Sequence, residues 1–537
     1  MRKQISRFPW PSAALAIAMI AATNGAGAES GPTGPVITIA DGSLAGSSHG
    51  EVDVFRGVPF AKPPVGDLRW RAPQPEQGWS GVRDATRNGN SCMQPPFPDS
   101  MAPIAAPMSE DCLYLNVWRP RGLAAGAKTP VIVWIHGGGF LTGGASSAVF
   151  DGTSFVRKGI ILVGINYRLG RFGFFAHPAL VRENKDGGLF GNYGYLDQIA
   201  ALRWVRQNIG AFGGDPDNVT IFGESAGGAS VQVLMTTPLA RGLFKRAIVQ
   251  SGGGRGNLMG ARTVLEDRPN LASLQTVGLR FAQKMGIDGS DAAALVRLRA
   301  LPAADVERDL DNRGLAEQYA DFGGPSIDGR IVAAGPDVAY REGTQSNVAL
   351  LIGATNADLA LDPAPSKDLA FATFGDKAAE AQRIYDPQGT EETALVTQRV
   401  SSDRRWVEPA RYVARLHSAR GIPAYLYRFA YVADSMKSRW PHGAPHASEV
   451  PYAMDTVMTK YGFDLTDRDR AVAETMNSYW ANFARNGDPN GPGLPPWPAY
   501  REQDDALMVF TASGEAVAQK DPWRARLDLI AAALPQP

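Results

Sequence analysis

The sequence predicts an α/β protein with a large, mostly parallel central sheet, and two observations carry that prediction. The first is a set of short, continuous apolar runs, which are typical of strands buried on both faces of a parallel sheet. These runs are 131–135, 160–165, 247–249, 349–352 and 424–429, the last clear strand of the chain. The second is that segments with helical spacing, such as 196–209, separate the runs. Strands that alternate with helices indicate an α/β sheet flanked by helices.

The N-terminal residues have the pattern of a secretory signal peptide. Basic side chains lie within the first seven residues, residues 13–22 are apolar, and residues 26–28 match an A-x-A cleavage site. A membrane anchor is the alternative, but the apolar run is about half as long as a spanning helix requires. We therefore predict that residues 1–28 are a signal peptide and that the mature chain is exported, to the periplasm or the medium, without a membrane span.

Composition indicates one large domain after the signal peptide. The formal net charge is zero, and no basic run exceeds a few residues, so nothing indicates a nucleic-acid partner. No repeat, low-complexity tract or Gly/Ser-rich linker divides the rest of the chain. We therefore predict that residues 29–537 form a single catalytic domain with long loop insertions, and the oligomeric state stays open.

The chain contains two cysteines, Cys92 and Cys112. In an exported chain, a lone pair this close in sequence indicates a disulfide. By chain entropy such a bond would stabilise the fold by about 3 kcal/mol. Two buried free thiols are the alternative, and the export signal argues against it. Two cysteines also exclude a cysteine-based zinc cluster. The residues between them are rich in proline, serine and methionine and predict an irregular surface loop.

A G-x-S-x-G motif at residues 223–227 is the strongest functional signal. An apolar strand, 219–222, precedes it, and a helical segment, 226–237, follows. Strand, tight turn and helix are the context that exposes a nucleophilic serine, and the flanking glycines leave room for the strained turn. The pattern predicts Ser225 as a nucleophile.

A serine that attacks a carbonyl needs N–H donors for the oxyanion that forms. The run His136-Gly137-Gly138-Gly139 follows a core strand, and only glycine lets the backbone approach a substrate this closely. We predict that the N–H groups of Gly138, Gly139 and Ala226 are the donors. A flexible loop is the alternative, but the pairing of this run with G-x-S-x-G favours the oxyanion site.

The general base can be sought among six histidines. In α/β-hydrolases the catalytic residues follow the order serine, acid, histidine, which excludes the histidines that precede Ser225. His417 lies in a segment with helical spacing, whereas His442 and His446 lie in a loop beyond the strand 424–429. Composition alone does not separate these two.

The acid should follow a core strand between the serine and the histidine. The strand 349–352 is followed by Asp358 and Asp362. Asp358 is nearer and lies in a turn-rich stretch, which favours it. The alternative is that Asp358 caps a helix.

Five segments together match the motifs of one family. They are 212–227 around the serine, 110–118, 166–168, 196–198 and 487–490. The chain resembles the type-B carboxylesterases, the carboxylesterase–cholinesterase branch of the α/β-hydrolases, from about residue 36 to its end. The resemblance implies an α/β-hydrolase fold and a serine esterase that acts on small-molecule esters with no metal or organic cofactor.

The resemblance also distinguishes the candidate residues. Residues 443–452 are similar to the family's histidine segment, which implies that His446 is the base and that His442 lies outside the motif. It implies that Asp358 is the acid, at a position where the family usually has glutamate followed by glycine. It further implies that Glu224 and Ser251 support the triad from beside it.

Structural features follow from the resemblance as well. It implies the Cys92–Cys112 disulfide and two buried ion pairs, Arg56–Glu110 and Arg168–Asp197. Cholinesterases of this family carry a tryptophan within the first disulfide loop to bind a quaternary ammonium. The loop of this chain contains no tryptophan, so we do not expect choline esters as substrates.

A glycine run and Arg255 follow Ser251, in the segment that contributes to the acyl pocket in the family. One interpretation is that Arg255 grips a polar or anionic acyl group through two hydrogen bonds. The other is that it points to solvent or pairs with a carboxylate, as most arginines do.

Together these features predict a serine carboxylic-ester hydrolase with the triad Ser225, His446 and Asp358. A non-catalytic binding domain of the same fold is one alternative, and the retained serine, histidine and glycine loop argue against it. Acyl transfer to an alcohol other than water is another, because it would use the same residues.

Overall fold

In the computed structural model, the described residues are 34–97, 100–124, 126–255, 261–310, 322–361 and 363–534. The predicted signal peptide and Asp362 lie outside them, so those predictions stay untested. From residue 34 onwards, the described residues form one compact unit. No helix within the described ranges is long and apolar enough to cross a membrane.

A large sheet organises the chain. The strands are β1 (Val36–Ile39), β2 (Gly42–Ala45), β3 (Ser47–His49), β4 (Val52–Pro59), β5 (Val82–Asp84), β6 (Ser91–Cys92), β7 (Met108–Ser109), β8 (Tyr114–Pro120), β9 (Thr129–Ile135), β10 (Ile161–Ile165), β11 (Gly214–Glu224), β12 (Arg246–Gln250), β13 (Ala349–Thr355), β14 (Ala424–Phe429), β15 (Ala506–Phe510) and β16 (Ala516–Lys520). Within the described ranges, eleven of them form the order β16-β15-β14-β13-β12-β11-β9-β10-β8-β4-β3. The stretch from β15 to β10 in this order is parallel, and both edges are antiparallel.

Helices cover both faces of the sheet. In the described part of the chain, the α-helices are Thr153–Arg157, Gly170–Gly173, Pro178–Glu183, Tyr193–Asn208, Ala226–Thr236, Leu274–Lys284, Ala292–Arg299, Ala303–Val306, Pro336–Glu342, Lys367–Ala372, Ala378–Tyr385, Thr393–Ser402, Glu408–Ser418, Val450–Met454, Val457–Tyr461, Asp467–Asn486 and Arg524–Ala533. Successive side chains of β11 enter opposite layers, with Ile221 in one core cluster and Phe222 in the other. This alternation explains why the core strands read as continuous apolar runs.

The predicted strands are confirmed, with ends moved by a few residues. The expectation that 424–429 is the last clear strand is wrong, because β15 and β16 follow it. The residues of β16 are almost all exposed, so it carries no apolar pattern that a sequence reading could detect.

The predicted α/β-hydrolase sheet is confirmed, and it gathers the candidate residues at one edge. The glycine loop follows β9, Ser225 follows β11, Ser251 follows β12 and Asp358 follows β13. Ligands of open parallel sheets bind at the carboxyl ends of the strands. The order of the strands therefore explains how residues far apart in sequence come to share one site.

The Cys92–Cys112 disulfide is present, and so is the buried pair Arg168–Asp197. The predicted pair Arg56–Glu110 is wrong. Glu110 instead receives two hydrogen bonds from Arg69.

Arg56 lies 5.8 Å from the centre of the Trp118 ring. Burial lowers the pKa of Arg56, and the negative charge of Asp151 offsets part of that effect. The side chain of Arg56 therefore interacts with Trp118 and Asp151. Arg69, thirteen positions later in the sequence, pairs with Glu110 instead.

A double-mutant cycle distinguishes the two arginines. The side chains of Arg69 and Glu110 are 6% and 14% exposed, so we expect a coupling energy between them of about 1–3 kcal/mol in urea unfolding. We expect the cycle for Arg56 and Glu110 to give a coupling within about 0.5 kcal/mol of zero. The reverse ranking of the two couplings would contradict the observed pairing.

Candidate active site

Ser225 occupies a strained turn between β11 and the helix Ala226–Thr236. Its backbone has φ 56° and ψ −122°, a conformation that residues with a side chain rarely adopt without a functional reason. The N–H of Ser225 donates to the carbonyl of Gln250 at 2.9 Å, which holds the turn against the next strand. A Cβ at Gly227 would lie 2.0 Å from the carbonyl oxygen of Ile135, so only glycine fits there.

A single imidazole joins the serine to the acid. The Nε2 atom of His446 lies 2.7 Å from the hydroxyl of Ser225, and its Nδ1 atom is hydrogen-bonded to the carboxylate of Asp358. His442 is exposed. His417 is buried, and its Nε2 atom is 2.8 Å from the carbonyl of Val348, so it has a structural partner far from the site.

The loops that carry the acid and the histidine are bound to each other. The N–H of Ala357 donates to the carbonyl of Ala444 at 3.1 Å. In the other direction, the N–H of Ala444 donates to the side-chain oxygen of Asn356 at 2.7 Å. These reciprocal bonds fix the distance between the two loops, so the position of the acid relative to the imidazole does not depend on the side chains alone.

Asp358 is fully buried and well supplied with donors. Its carboxylate accepts hydrogen bonds from the Ser251 hydroxyl at 2.7 Å, the Thr355 N–H at 3.2 Å and the Leu359 N–H at 2.8 Å. Burial raises the pKa of Asp358, but His446 and these donors more than offset it, and the pKa lies below its usual value. Asp358 is therefore ionised at neutral pH.

The glycine loop passes directly beside the serine. A Cβ at Gly137 would lie 3.1 Å from the Cβ of Ser225. Gly138 has φ 101°, and its carbonyl accepts the N–H groups of Leu141 and Thr142, each at 3.0 Å. The carbonyl is thereby turned into the loop. Gly139 has φ 64°.

Ala226 begins the helix that follows the serine. The first N–H groups of a helix have no partner within the helix, and its dipole favours negative charge at that end. This end of the helix can therefore stabilise an anion that forms next to Ser225.

Two buried glutamates surround the imidazole. The Oε1 atom of Glu224 lies 3.2 Å from Nε2 of His446. Burial raises the pKa of Glu224, and the charge of His446 acts in the opposite direction. Glu449, which was not predicted from the sequence, is also fully buried, and burial raises its pKa. It accepts a hydrogen bond from Gln250 at 2.9 Å. The available signal was a glutamate three residues after His446 in an otherwise apolar stretch.

The pKa of His446 reflects all of these neighbours. Burial lowers it, whereas the negative charges of Glu224, Asp358 and Glu449 and the hydrogen bond to Asp358 raise it, to about 10. His446 therefore binds a proton more strongly than an ordinary histidine, and its neighbours stabilise an imidazolium when one forms.

A cavity of about 320 Å³ opens onto Ser225 and His446. Its walls are mainly apolar and include Trp134, Phe150, Leu359, Val450 and Pro451. A larger, open surface cleft of about 790 Å³ contains none of the candidate catalytic residues.

The disulfide loop, which the sequence analysis interpreted as an irregular surface loop, supplies one side of this cavity. Pro95, Phe97, Met101 and Ala102 all lie on its wall. The loop therefore takes part in shaping the space that a substrate would fill.

Arg255 lies outside the walls of this cavity. Its guanidinium donates to both oxygens of Glu408, at 2.7 and 2.8 Å, and stacks 3.7 Å from the centre of the Tyr412 ring. Glu408 is buried, so both of the hydrogen bonds that would grip a substrate carboxylate are already made. The pairing favours the structural interpretation of Arg255.

A serine on a strained strand-to-helix turn, bonded to a histidine and beside a glycine loop, defines the class of α/β-hydrolase esterases. The carboxylesterase family model matches residues 33–364 and 372–525. The chain belongs to the carboxylesterase family and is a carboxylic ester hydrolase.

Relatives cover nearly the whole chain. The para-nitrobenzyl esterase of Bacillus subtilis is 34% identical over 508 residues, 91% of this chain and 97% of that protein. The fumonisin B1 esterase of Sphingopyxis macrogoltabida is 33% identical over 491 residues, 87% of this chain and 86% of that protein. A solved Geobacillus stearothermophilus carboxylesterase is 36% identical with a TM-score of 0.72, covering 91% of this chain and 99% of that one.

The pH profile tests the electrostatics around His446. Because Glu224 raises the histidine pKa, we expect the acid limb of kcat/KM to lie above the ordinary histidine value of about 6.5. Glu224→Gln removes that negative charge, so the histidine loses its proton more easily and the limb should move to lower pH.

The matched control is Glu449→Gln, since Glu449 contributes least among the three carboxyl groups that raise this pKa. It should move the limb in the same direction by a smaller amount. An unchanged limb in Glu224→Gln, or one that moves to higher pH, would contradict this account.

Proposed function

We propose that the chain hydrolyses its esters through Ser225 as nucleophile, His446 as general base and Asp358 as the acid that orients the imidazole. The single observation that carries the proposal is that one imidazole reaches Ser225 at 2.7 Å through Nε2 and bonds to Asp358 through Nδ1. With Nδ1–H directed to the carboxylate, Nε2 is left as the atom that accepts the proton of the serine.

The reaction then runs in two halves. The Ser225 oxygen attacks the ester carbonyl while His446 takes its proton, and the tetrahedral intermediate collapses when His446 returns that proton to the departing alcohol. Water, deprotonated by His446, attacks the resulting acyl-enzyme, and the serine regains its proton as the carboxylic acid leaves. The ionised Asp358 stabilises the imidazolium in both halves.

The N–H groups of Gly138, Gly139 and Ala226 bind the oxyanion in this proposal. Support comes from the glycine loop, which runs in contact with Ser225, and from Ala226, which starts a helix beside the nucleophile. Donors fixed before the reaction stabilise the developing charge without reorganising during it.

The cavity supports a neutral, apolar ester as the substrate class. Its apolar walls gain from the burial of hydrocarbon. A carboxylate on the acyl group would lose hydration there, and the described residues that line the cavity include no lysine or arginine to pair with it. The cavity volume of about 320 Å³ suits small or medium acyl and alcohol groups. Transfer of the acyl group to another alcohol would use the same residues, and product analysis in the presence of added alcohol distinguishes it from hydrolysis.

We also propose that the protein is exported. The Cys92–Cys112 disulfide supports the proposal, because such bonds persist in oxidising compartments. N-terminal sequencing of the mature protein should begin at Glu29, and fractionation should find it in the periplasm or the medium. A cytoplasmic protein that retains residue 1 would contradict the proposal.

The assignment of the base is tested by paired variants. Ser225→Ala and His446→Ala should each lower kcat on a generic aryl ester by about 10⁴-fold or more. His442→Ala is the matched control and should retain most activity, because the exposed His442 makes none of these contacts. Folding is checked by circular dichroism, and a severe effect of His442→Ala with a mild effect of His446→Ala would overturn the assignment.

The apolar cavity makes a prediction about substrate charge. We expect kcat/KM for a neutral butyryl ester to exceed that for the succinyl monoester of the same alcohol by at least about tenfold, equivalent to about 1.4 kcal/mol. Arg255→Ala should change both values by the same factor, since Arg255 is paired with Glu408. A loss confined to the succinyl ester would instead show that Arg255 binds the acyl carboxylate.

A further inference from the structure

A buried tryptophan contacts both the histidine and the loop that carries the acid. Trp406 is 1% exposed. Its indole N–H donates to the carbonyl of Leu359, the residue after Asp358, at 2.6 Å. The same ring system lies 5.0 Å from the His446 imidazole, centre to centre, with the two planes inclined by 38°. One side chain therefore touches two of the groups whose relative position the proposed mechanism depends on.

The contact with Leu359 leads directly to the carboxylate. The N–H of Leu359 donates to the carboxylate of Asp358 at 2.8 Å. The indole therefore binds the carbonyl of the same residue whose N–H supports the acid. A second bond acts in the same direction, because the hydroxyl of Ser401 donates to the carbonyl of Leu361 at 2.8 Å. The loop after Asp358 is thus tied twice to the helical segment that contains Trp406.

The segment that presents Trp406 has an unusual conformation. The residues Asp403–Val407 form a π-helical turn between the helices Thr393–Ser402 and Glu408–Ser418. Such turns are rare and often occur at functional sites, where they direct a side chain that a regular helix would place elsewhere. Here the turn delivers the indole to the space between Leu359 and His446.

This turn is anchored from behind. The buried carboxylate of Asp403 accepts hydrogen bonds from Tyr385 at 2.8 Å and from Arg526 at 2.8 Å. Arg526 comes from the C-terminal helix Arg524–Ala533, and Tyr385 from the end of the helix Ala378–Tyr385. The platform that bears the indole is therefore fixed to two other helices.

The identity of the acid makes the position of its loop important. The aspartate carboxylate is separated from its backbone by only one methylene, so the distance between the Asp358 loop and the imidazole sets the hydrogen bond to Nδ1. We infer that Trp406 is a positioning residue of this esterase, which holds the Asp358 loop against His446 through the Leu359 carbonyl and supports the imidazole through its ring. The inference rests on the proposed triad.

The test compares two tryptophan-to-phenylalanine changes. Trp406→Phe removes the indole N–H and keeps an aromatic ring beside His446. Trp70→Phe is the matched control, because Trp70 is also 1% exposed, donates its indole N–H to the carbonyl of Arg171 at 2.7 Å, and does not line the cavity. Active sites are counted by phosphonate titration, so kcat refers only to competent enzyme.

We expect Trp406→Phe to lower kcat per titrated site by about tenfold, because a small misplacement of catalytic groups costs one to two orders of magnitude. KM should change by less than about threefold, since Trp406 does not line the cavity. Trp70→Phe should leave kcat within about twofold of wild type while losing a similar amount of thermal stability. Trp406→Leu, which also removes the ring, should lose more activity than Trp406→Phe.

Turnover per site in Trp406→Phe that matches Trp70→Phe would overturn the inference, as would equal losses in Trp406→Phe and Trp406→Leu. Each preparation is measured beside wild type and Ser225→Ala. If Ser225→Ala is inactive and Trp406→Phe turns over like wild type, the inference fails and the proposed triad stands. If Ser225→Ala retains activity, the proposed triad itself fails.

Discussion

The hydrogen bond between His446 and Asp358 is the contact on which the rest of the site depends. It determines which imidazole nitrogen carries the proton, and so whether Nε2 faces Ser225 as an acceptor. Neither partner is close to the other in sequence. Their approach is set by the parallel strands β13 and β14, whose carboxyl ends lie side by side, and by the reciprocal hydrogen bonds between the two loops that follow.

Burying this contact has an electrostatic cost. Glu224, Asp358 and Glu449 are carboxyl groups removed from water, and each is disfavoured as an anion by burial. His446 offsets part of that cost by attracting the negative charge around it. In the proposed mechanism, the ionised carboxylates among them stabilise the imidazolium that forms when Ser225 loses its proton.

The residues that belong to local sequence motifs could be predicted. Ser225 and the glycine loop could be predicted because a strained turn and a close backbone approach demand small residues at fixed spacing. His446 required the family motif, since His442 lies in the same loop. Arg56 was assigned to Glu110 although Arg69 occupies that place, because ion pairing depends on how loops fold back and not on spacing. No sequence motif marks Trp406, because its position beside His446 and Leu359 depends on a π-helical turn.

The cavity walls show the same limit. Phe97 and Met101 belong to a loop whose composition indicates only irregularity, yet the disulfide and the packing of that loop bring them over the serine. Which apolar residues face a substrate follows from tertiary contacts, and these become visible only when the whole chain is folded.

The central claim is that Ser225 is the nucleophile that becomes acylated during the reaction. The most direct measurement is mass spectrometry of the intact protein and its peptides after reaction with an aryl phosphonate. The account predicts one adduct per chain, located on the peptide that contains Ser225, with full loss of esterase activity. An adduct on another residue, or complete inactivation with Ser225 unmodified, would contradict it.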